Sequence, residues 1–154
     1  MVDLKRVLLM IFCSFLLGVM LGSLLFPALH PGISERSSPA DHVSVDQIHV
    51  YSSRVVIDLN NTRFSGFTDT NSMDPLLDSE HNGIETVPSS PDQISVGDII
   101  SYKHGKKIII HRVVKISNDE KGWYCKTQGD NNQLPDPEKV RYNQVVGILV
   151  AIIY

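Results

Sequence analysis

The sequence has little cysteine, and beyond residue 29 it has little leucine, alanine or methionine. Its two cysteines are Cys13, inside a long apolar run, and Cys125, far beyond it. We expect no disulfide between them, and their spacing fits no zinc motif. Residues 30–154 hold eight Leu, Ala and Met in total against 27 Val and Ile. Because β-branched residues fit strands whereas Leu and Ala favour helices, this part is predicted to be mostly β.

An excess of positive charge is also missing. The formal net charge of the chain is -3, and residues 33–154 carry 12 Lys and Arg against 16 Asp and Glu, a net charge of -4. Domains that bind nucleic acid present a basic surface to the phosphates. The composition therefore gives no support for a nucleic-acid partner. No motif indicates a cofactor, and Gly129–Asn132 lacks the spacing of a calcium loop.

No charged residue occurs between Val7 and Leu29, a run of 23 residues. As a helix it would be about 35 Å long, enough to cross a hydrocarbon core of about 30 Å. A cleaved signal peptide is the alternative, but its apolar core is usually about 7–15 residues long. Lys5 and Arg6 before the run favour a cytoplasmic N-terminus. We therefore predict a cytoplasmic segment at 1–6, one transmembrane helix at 7–29, a linker at 30–42 and an extracytoplasmic β-rich domain at 43–154.

Turn signals divide the β-rich part into strand-like runs. The predicted strands are Val43–Ile48, Val50–Leu59, Ile84–Val87, Asp98–Lys103, Lys107–Ile116, Trp123–Thr127 and Val145–Ile153. His104-Gly105 predicts a hairpin turn, and residues 77–93 predict a long loop that contains one short strand. Alternation along a strand places His111 and Arg112 on opposite faces. Taken alone, they read as a half-buried histidine and a solvent-facing arginine.

Four motifs follow one another along the chain: Ser72-Met73-Asp74-Pro75, Val96-Gly97-Asp98-Ile99-Ile100, His111-Arg112-Val113-Val114, and Gly129-Asp130-Asn131-Asn132 with Asp136 six residues beyond Asp130. Each alone is an ordinary turn or strand. Together and in this order, with Val145-Val146-Gly147 after them, they resemble the archaeal and endoplasmic-reticulum branch of the type I signal peptidases. The resemblance covers roughly residues 43–150, and the predicted membrane anchor precedes it as in that family.

The resemblance implies a signal-peptidase-like antiparallel β-fold that carries a Ser-His-Asp hydrolase site. It makes Ser72 the nucleophile and His111 the general base, where the bacterial branch has lysine. These residue types suit the chemistry, because serine needs a base that titrates near neutral pH and a carboxylate orients the imidazole. We assign Asp136 as the orienting acid and Asp130 as a structural acid, and the reverse assignment stays open.

The resemblance also suggests how a substrate would be held. The Ser72 amide and the Thr70 hydroxyl would bind the oxyanion, and Met73 would form an apolar floor beside the nucleophile. Two positions depart from the family pattern: Asn71 stands where Gly is usual, and Gln128 where Lys is usual. Asn is the best substitute for Gly if φ is positive at position 71. About 40 residues separate the predicted helix from Ser72, which leaves open the height of the site above the bilayer.

The expected function is the removal of signal peptides from exported preproteins by a membrane-anchored serine endopeptidase without a cofactor. The family's small pockets imply Ala-x-Ala-like cleavage sites, with the substrate added as an extended strand. Preproteins and the lipid bilayer are the expected partners, and the sequence carries no sign of accessory subunits. The alternatives are a peptidase of the same clan dedicated to a few clients and a catalytically silent, membrane-tethered binding domain.

Two features bear on the cellular setting. The chain is short and ends at Tyr154 without a second anchor, which favours an archaeal cell membrane over the endoplasmic reticulum. Asn60-Asn61-Thr62 is a glycosylation sequon on the side predicted to face outward, and its use is left open.

Overall fold

The computed structural model describes residue 8, residues 10–20 and residues 35–154, and the chain divides into two units, Met1–Glu35 and Arg36–Tyr154. In the first unit, residues 10–20 form a helix in which every residue is exposed. None of the helices within the described ranges has both the length and the apolar character that a bilayer span requires. The predicted segment 1–6, the rest of the predicted span at 7–29, and residues 30–34 of the linker lie outside the described residues.

The second unit is mostly β, as predicted, and its strands pair antiparallel. The strands are β1 (Ile48–Val50), β2 (Val55–Ile57), β3 (Thr62–Gly66), β4 (Asn82–Thr86), β5 (Ile99–His104), β6 (Lys107–Asp119), β7 (Gly122–Gln128), β8 (Val140–Arg141) and β9 (Val145–Ile153). Strands β1 and β2 form a separate two-stranded hairpin. The other seven form one sheet in the order β3-β4-β9-β5-β6-β7-β8.

Five predicted runs correspond to strands β4, β5, β6, β7 and β9, and β9 matches its prediction residue for residue. The hairpin at His104-Gly105 joins β5 to β6, with φ of 60° at Gly105. The sequence does not predict strand β3, because Thr62–Gly66 contains only one large apolar residue, Phe64. In the structure Phe64 is 69% exposed. Among the strands that the structure describes, β3 pairs only with β4, so it lies at the edge of the sheet, where polar side chains are tolerated.

The core consists of two hydrophobic clusters, to which adjacent residues of β5 and β9 contribute alternately. Ile100 and Ile148 belong to the larger cluster, whose other buried members are Ile94, Tyr102, Val113, Cys125 and Val140. Ile99 and Leu149 pack instead with Met73 and Leu77. Side chains alternate between the faces of a strand, so β9 and the first four residues of β5 are buried on both sides, which explains the nearly continuous apolar sequence of β9.

Candidate active site

Ser72 lies in a tight turn between β3 and β4. The residue before it, Asn71, has φ of 56°, so the positive φ that would favour Gly or Asn at this position is present. The residue after it, Met73, is buried, and its carbonyl accepts hydrogen bonds from the amides of Leu76 at 2.9 Å and Leu77 at 3.1 Å. The turn is therefore fixed to the core through Met73, whereas Ser72 itself stays partly exposed.

The structure brings Ser72, His111 and Asp136 together in a hydrogen-bonded row. His111 lies in β6 and is 8% exposed. Its Nε2 is 3.1 Å from Ser72 Oγ, and its Nδ1 is 2.7 Å from Asp136 Oδ2. In this geometry one ring nitrogen can accept a proton from the serine while the other donates to the carboxylate. The row therefore has the arrangement that activates a serine nucleophile.

Two further side chains hold the Asp136 carboxylate. The hydroxyls of Thr127 and Tyr102 donate to Oδ2, at 2.6 Å and 3.1 Å. The Asp136 amide also donates to the Thr127 carbonyl at 2.7 Å, and the Lys126 ammonium donates to the Asp136 carbonyl. Both the main chain and the side chain of Asp136 are thus fixed to β7, which places the carboxylate against His111.

These contacts shift the pKa of two groups. Burial alone would raise the pKa of Asp136, but hydrogen bonds from His111, Thr127 and Tyr102, with the charge of His111, outweigh burial and lower it. Burial raises the pKa of Tyr102, and the neighbouring Asp136 carboxylate raises it further, although a hydrogen bond with Thr127 opposes this. Asp136 is therefore ionised and Tyr102 is a protonated donor across the neutral range.

Tyr102→Phe removes one donor from Asp136 and is expected to make the protein more sensitive to acid. A carboxyl with a lowered folded-state pKa stabilises the fold above its unfolded-state pKa, and this contribution disappears as the pH falls through the folded-state pKa. Without the Tyr102 hydroxyl the folded-state pKa of Asp136 rises, so the acid-unfolding midpoint should move to higher pH. Circular dichroism against pH measures the shift. Tyr124→Phe is the matched control, because the Asp136 carboxylate accepts from Tyr102, His111 and Thr127 and not from the Tyr124 hydroxyl. Equal midpoints for the two variants would contradict this role.

Asp130 lies away from His111 and forms a paired interaction with Arg112. The guanidinium donates through Nε to Oδ1 at 2.8 Å and through Nη2 to Oδ2 at 2.6 Å. Arg112 is 7% exposed, and its Nη1 also donates to the Gly97 carbonyl at 2.8 Å. The interpretation of Arg112 as solvent-facing is therefore wrong, because its charge is compensated inside the domain by Asp130 and by carbonyl groups.

Asp130 belongs to a turn, Gly129–Asn132, that contacts the turn of Ser72. The Asn131 amide donates to the Ser72 carbonyl at 2.9 Å, and the Asn131 side chain donates to the Asn71 carbonyl at 2.9 Å. A Cβ on Gly129 would lie 2.4 Å from the Ser72 carbonyl oxygen, so this approach requires glycine. The Gln128 side chain closes the turn by donating to the Asn132 carbonyl at 2.7 Å.

Residues 36–43, most of which fall in the predicted linker, form a strap that hydrogen-bonds to the β-rich unit. Arg36 donates to the carbonyls of Asp130 at 2.7 Å and Asn132 at 3.4 Å. Further along the strap, the Ser37 carbonyl accepts from Arg112 at 3.2 Å, and the Ala40 amide donates to the Asp98 carboxylate at 2.9 Å. Asp98 is fully buried and accepts this hydrogen bond from the strap. The Val-Gly-Asp motif therefore attaches the strap to the sheet.

Gly97→Ala is expected to destabilise the protein by about 3 kcal/mol, since strained backbone and overpacking each cost about 1–3 kcal/mol. Gly97 has φ of 104°, and a Cβ there would lie 2.0 Å from the Ser38 carbonyl oxygen of the strap. Urea unfolding of the full chain in detergent measures the loss. Gly105→Ala is the matched control, because Gly105 also has positive φ but has no atom within 4 Å of an added Cβ. Equal losses would show that the strap does not pack against Gly97.

A cleft of ≈ 610 Å³ adjoins the Ser72 and His111 side chains. Thr70 also lines the cleft, and its Oγ1 lies 3.1 Å from Ser72 Oγ. The Thr70 hydroxyl is therefore near the position that the carbonyl oxygen of a substrate bound at Ser72 would take. The remaining lining is mostly apolar and consists of Phe67, Thr68, Met73, Leu77, Lys107, Ile108, Ile109 and Ile110.

The first part of β6 forms an open edge along this cleft. Residues 107–112 pair with β5, but pairing with β7 begins only at Arg112, opposite Gln128. Within residues 35–154, therefore, no strand pairs with the second edge of 107–111. An edge of this kind has backbone N–H and C=O groups to which an extended chain can hydrogen-bond.

Sequence reasoning did not identify Tyr102, Thr127 or Arg36 as parts of the site. Tyr102 and Thr127 lie on β5 and β7, on either side of β6, and only the register of the strands brings both hydroxyls to Asp136. Arg36 is separated from Asp130 by 94 residues and has no motif around it. For Tyr102 and Thr127, the only signal in the sequence was that each of the two strands beside that of His111 contains a residue with a hydroxyl group.

Comparison of the chain with protein-family models, with curated proteins and with solved structures found no match. The assignment of a function therefore depends on the geometry of the site and on the motifs of the sequence.

Proposed function

We propose that this protein is a membrane-anchored serine endopeptidase that removes signal peptides from exported preproteins. The observation that carries the proposal is the row of contacts from Ser72 Oγ to His111 Nε2, 3.1 Å, and from His111 Nδ1 to Asp136 Oδ2, 2.7 Å. It involves the residues for which the resemblance to type I signal peptidases implies catalytic roles. The same resemblance implies the signal-peptidase-like form of the antiparallel β-fold.

In the acylation step, Ser72 Oγ attacks the carbonyl carbon of the scissile peptide bond and His111 Nε2 takes the hydroxyl proton. The positive charge on the imidazole is stabilised by Asp136, which accepts the Nδ1 proton in a hydrogen bond and stays ionised. The carbonyl oxygen becomes an oxyanion near the Thr70 hydroxyl and the Ser72 amide. Collapse of this intermediate breaks the C–N bond, and His111 returns the proton to the leaving amine.

The acyl-enzyme is then hydrolysed by the same groups. Water replaces the departed amine, His111 removes a proton from it, and the hydroxide attacks the ester carbonyl. When the C–O bond to Ser72 breaks, His111 protonates the serine oxygen, and the signal peptide leaves with a free carboxylate. Both steps need one base of near-neutral pKa, and histidine suits this role.

The substrate segment binds in extended form along residues 107–111 of β6. The open edge of this strand supports the proposal, because it would supply main-chain hydrogen bonds that do not depend on sequence. The small pockets of the family imply small side chains close to the cleaved bond, as in Ala-x-Ala sites. The apolar lining of the cleft is compatible with such residues.

The membrane anchor is part of the proposal. Support comes from the 23-residue uncharged run and from the helix at 10–20, whose apolar side chains are exposed, with Phe15 at 68%. A helix with exposed apolar residues on all sides is typical of a membrane environment. The N-terminus is cytoplasmic and the β-rich unit extracytoplasmic. Anchoring confines the enzyme and its membrane-inserted substrates to one plane and raises their effective concentration.

A catalytically silent peptide-binding domain is the second candidate, because the same open edge and apolar cleft could hold a peptide without cutting it. Labelling with a fluorophosphonate, an activated reagent for serine nucleophiles, separates the two. We expect stoichiometric modification of Ser72 by the reagent in the full chain in detergent, detected by mass spectrometry. A folded protein that stays unlabelled at Ser72 would favour the binding domain.

A further inference from the structure

We propose that the strap, residues 36–43, positions the nucleophile, with Arg36 as its positioning residue. This inference deepens the proposed function and rests on it, because it concerns the turn that carries Ser72. The strap begins with the first residue of the β-rich unit and hydrogen-bonds to that unit through Arg36, Ser37 and Ala40.

The first link runs from Arg36 to the turn Gly129–Asn132. Arg36 Nη2 donates to the carbonyl oxygens of Asp130 and Asn132, at 2.7 Å and 3.4 Å. The Asp130 carboxylate is already held by Arg112, so Arg36 acts on the main chain of the turn rather than on its side chain. A charged donor to two carbonyls of one turn restricts its backbone, since charge-assisted hydrogen bonds are stronger than neutral ones.

The second link runs from this turn to the nucleophile. Between the two carbonyls that Arg36 holds stands Asn131, whose amide donates to the Ser72 carbonyl at 2.9 Å. The Asn131 side chain donates to the Asn71 carbonyl, and the Asp130 amide lies 3.4 Å from the Met73 sulfur. The turn thus contacts the residues on both sides of Ser72 as well as Ser72 itself. A small displacement of a reacting group is costly in catalysis, so restricting this turn should matter for rate.

Arg36 does not line the cleft, so it should affect the chemical step rather than substrate binding. In Arg36→Ala we expect the rate of Ser72 acylation by the fluorophosphonate to fall about tenfold. For peptide cleavage, kcat should fall similarly while KM changes less than about twofold. Arg36→Lys should recover part of the rate, because its ammonium can still donate to a carbonyl.

Hydrogen exchange supplies a readout that needs no activity. In the full chain in detergent, Arg36→Ala should speed amide exchange in residues 129–132 and leave β5 and β6 unchanged. Arg54→Ala is the matched control, since Arg54 is an exposed arginine of the same N-terminal region and its guanidinium lies over the Tyr51 ring. This variant should match the wild type in both measurements.

Three results would overturn the proposal. The first is unchanged amide exchange in residues 129–132 of Arg36→Ala, and the second is an unchanged rate of Ser72 acylation in that variant. The third is faster exchange throughout the sheet together with a lower unfolding temperature, because this would mean that Arg36 stabilises the fold in general. Failure of the proposed function is a different result. A wild type that cuts no preprotein, but whose Arg36→Ala variant shows faster local exchange and slower labelling, would reject the function and keep the positioning role of Arg36.

Discussion

Ser72→Ala is expected to lower kcat for signal-peptide cleavage by about 10⁴-fold or more, because no other group can replace the nucleophile. The fold should be retained. Ser72 is only partly buried, and its turn is held by main-chain contacts of Met73 and Asn131 that alanine keeps. Substitutions of this kind usually change the free energy of unfolding by less than about 0.5 kcal/mol. Cleavage of a peptide that spans a signal-peptide junction, followed by mass spectrometry, measures the rate.

Ser79→Ala is the matched control for this variant. Ser79 is an exposed serine seven residues further along the same connection between β3 and β4, and it makes no contact with His111. The Ser79→Ala variant should cleave the peptide at the wild-type rate. If folded Ser72→Ala also retained the wild-type rate, the proposed nucleophile would be wrong.

The second large effect is expected at Asp136, and it distinguishes the two aspartates that the sequence left open. Asp136→Asn should lower kcat by about 10⁴-fold, because the neutral amide no longer stabilises the imidazolium that forms when His111 takes the serine proton. The free energy of unfolding at neutral pH should fall by about 1–2 kcal/mol, less than for Asp130→Asn, since a neutral carbonyl oxygen accepts from Thr127 and Tyr102 more weakly than the carboxylate does. Cleavage rates and urea unfolding of the same preparation measure both quantities.

Asp130→Asn should show the opposite pattern. In this variant Arg112 would keep one acceptor oxygen but lose the negative charge of its partner inside the domain. The free energy of unfolding should therefore fall, since removing one member of a buried ion pair costs about 3–5 kcal/mol. At equal folded fraction, kcat should fall less than about tenfold, because Asp130 acts through the turn and does not touch His111. If Asp130→Asn were inactive while Asp136→Asn cleaved normally, the roles of the two acids would be reversed.

The β class could be predicted from the sequence because it depends on composition and alternation, which are local properties. Strand β9 consists of β-branched and other apolar residues apart from Gly147, and the polar pair Asn143-Gln144 precedes it, so its extent was predictable. Strand β3 has no such pattern. Its place in the sheet comes from pairing with β4, which lies 16 residues further on, and no local property predicts such a contact.

The identities of the site residues could be predicted, because few residue types can perform this chemistry. Their positions in space could not, because these depend on the register of the strands. Serine, histidine and aspartate were identified by motif, but their order in space comes from the turn at Asn71 and from the placement of β6 beside β7. Arg112 shows the limit most clearly. Alternation correctly gives it the face opposite His111, but it does not reveal that the strap and Asp130 cover that face.

The most direct test is to incubate the purified full chain in detergent with a preprotein and to sequence the product's N-terminus. The account predicts one new N-terminus, at the end of the signal sequence after a small residue, formed by the wild type and not by Ser72→Ala. No cleavage by a folded wild type that a fluorophosphonate labels at Ser72 would contradict signal-peptide processing. Equal cleavage by wild type and Ser72→Ala would contradict the site itself.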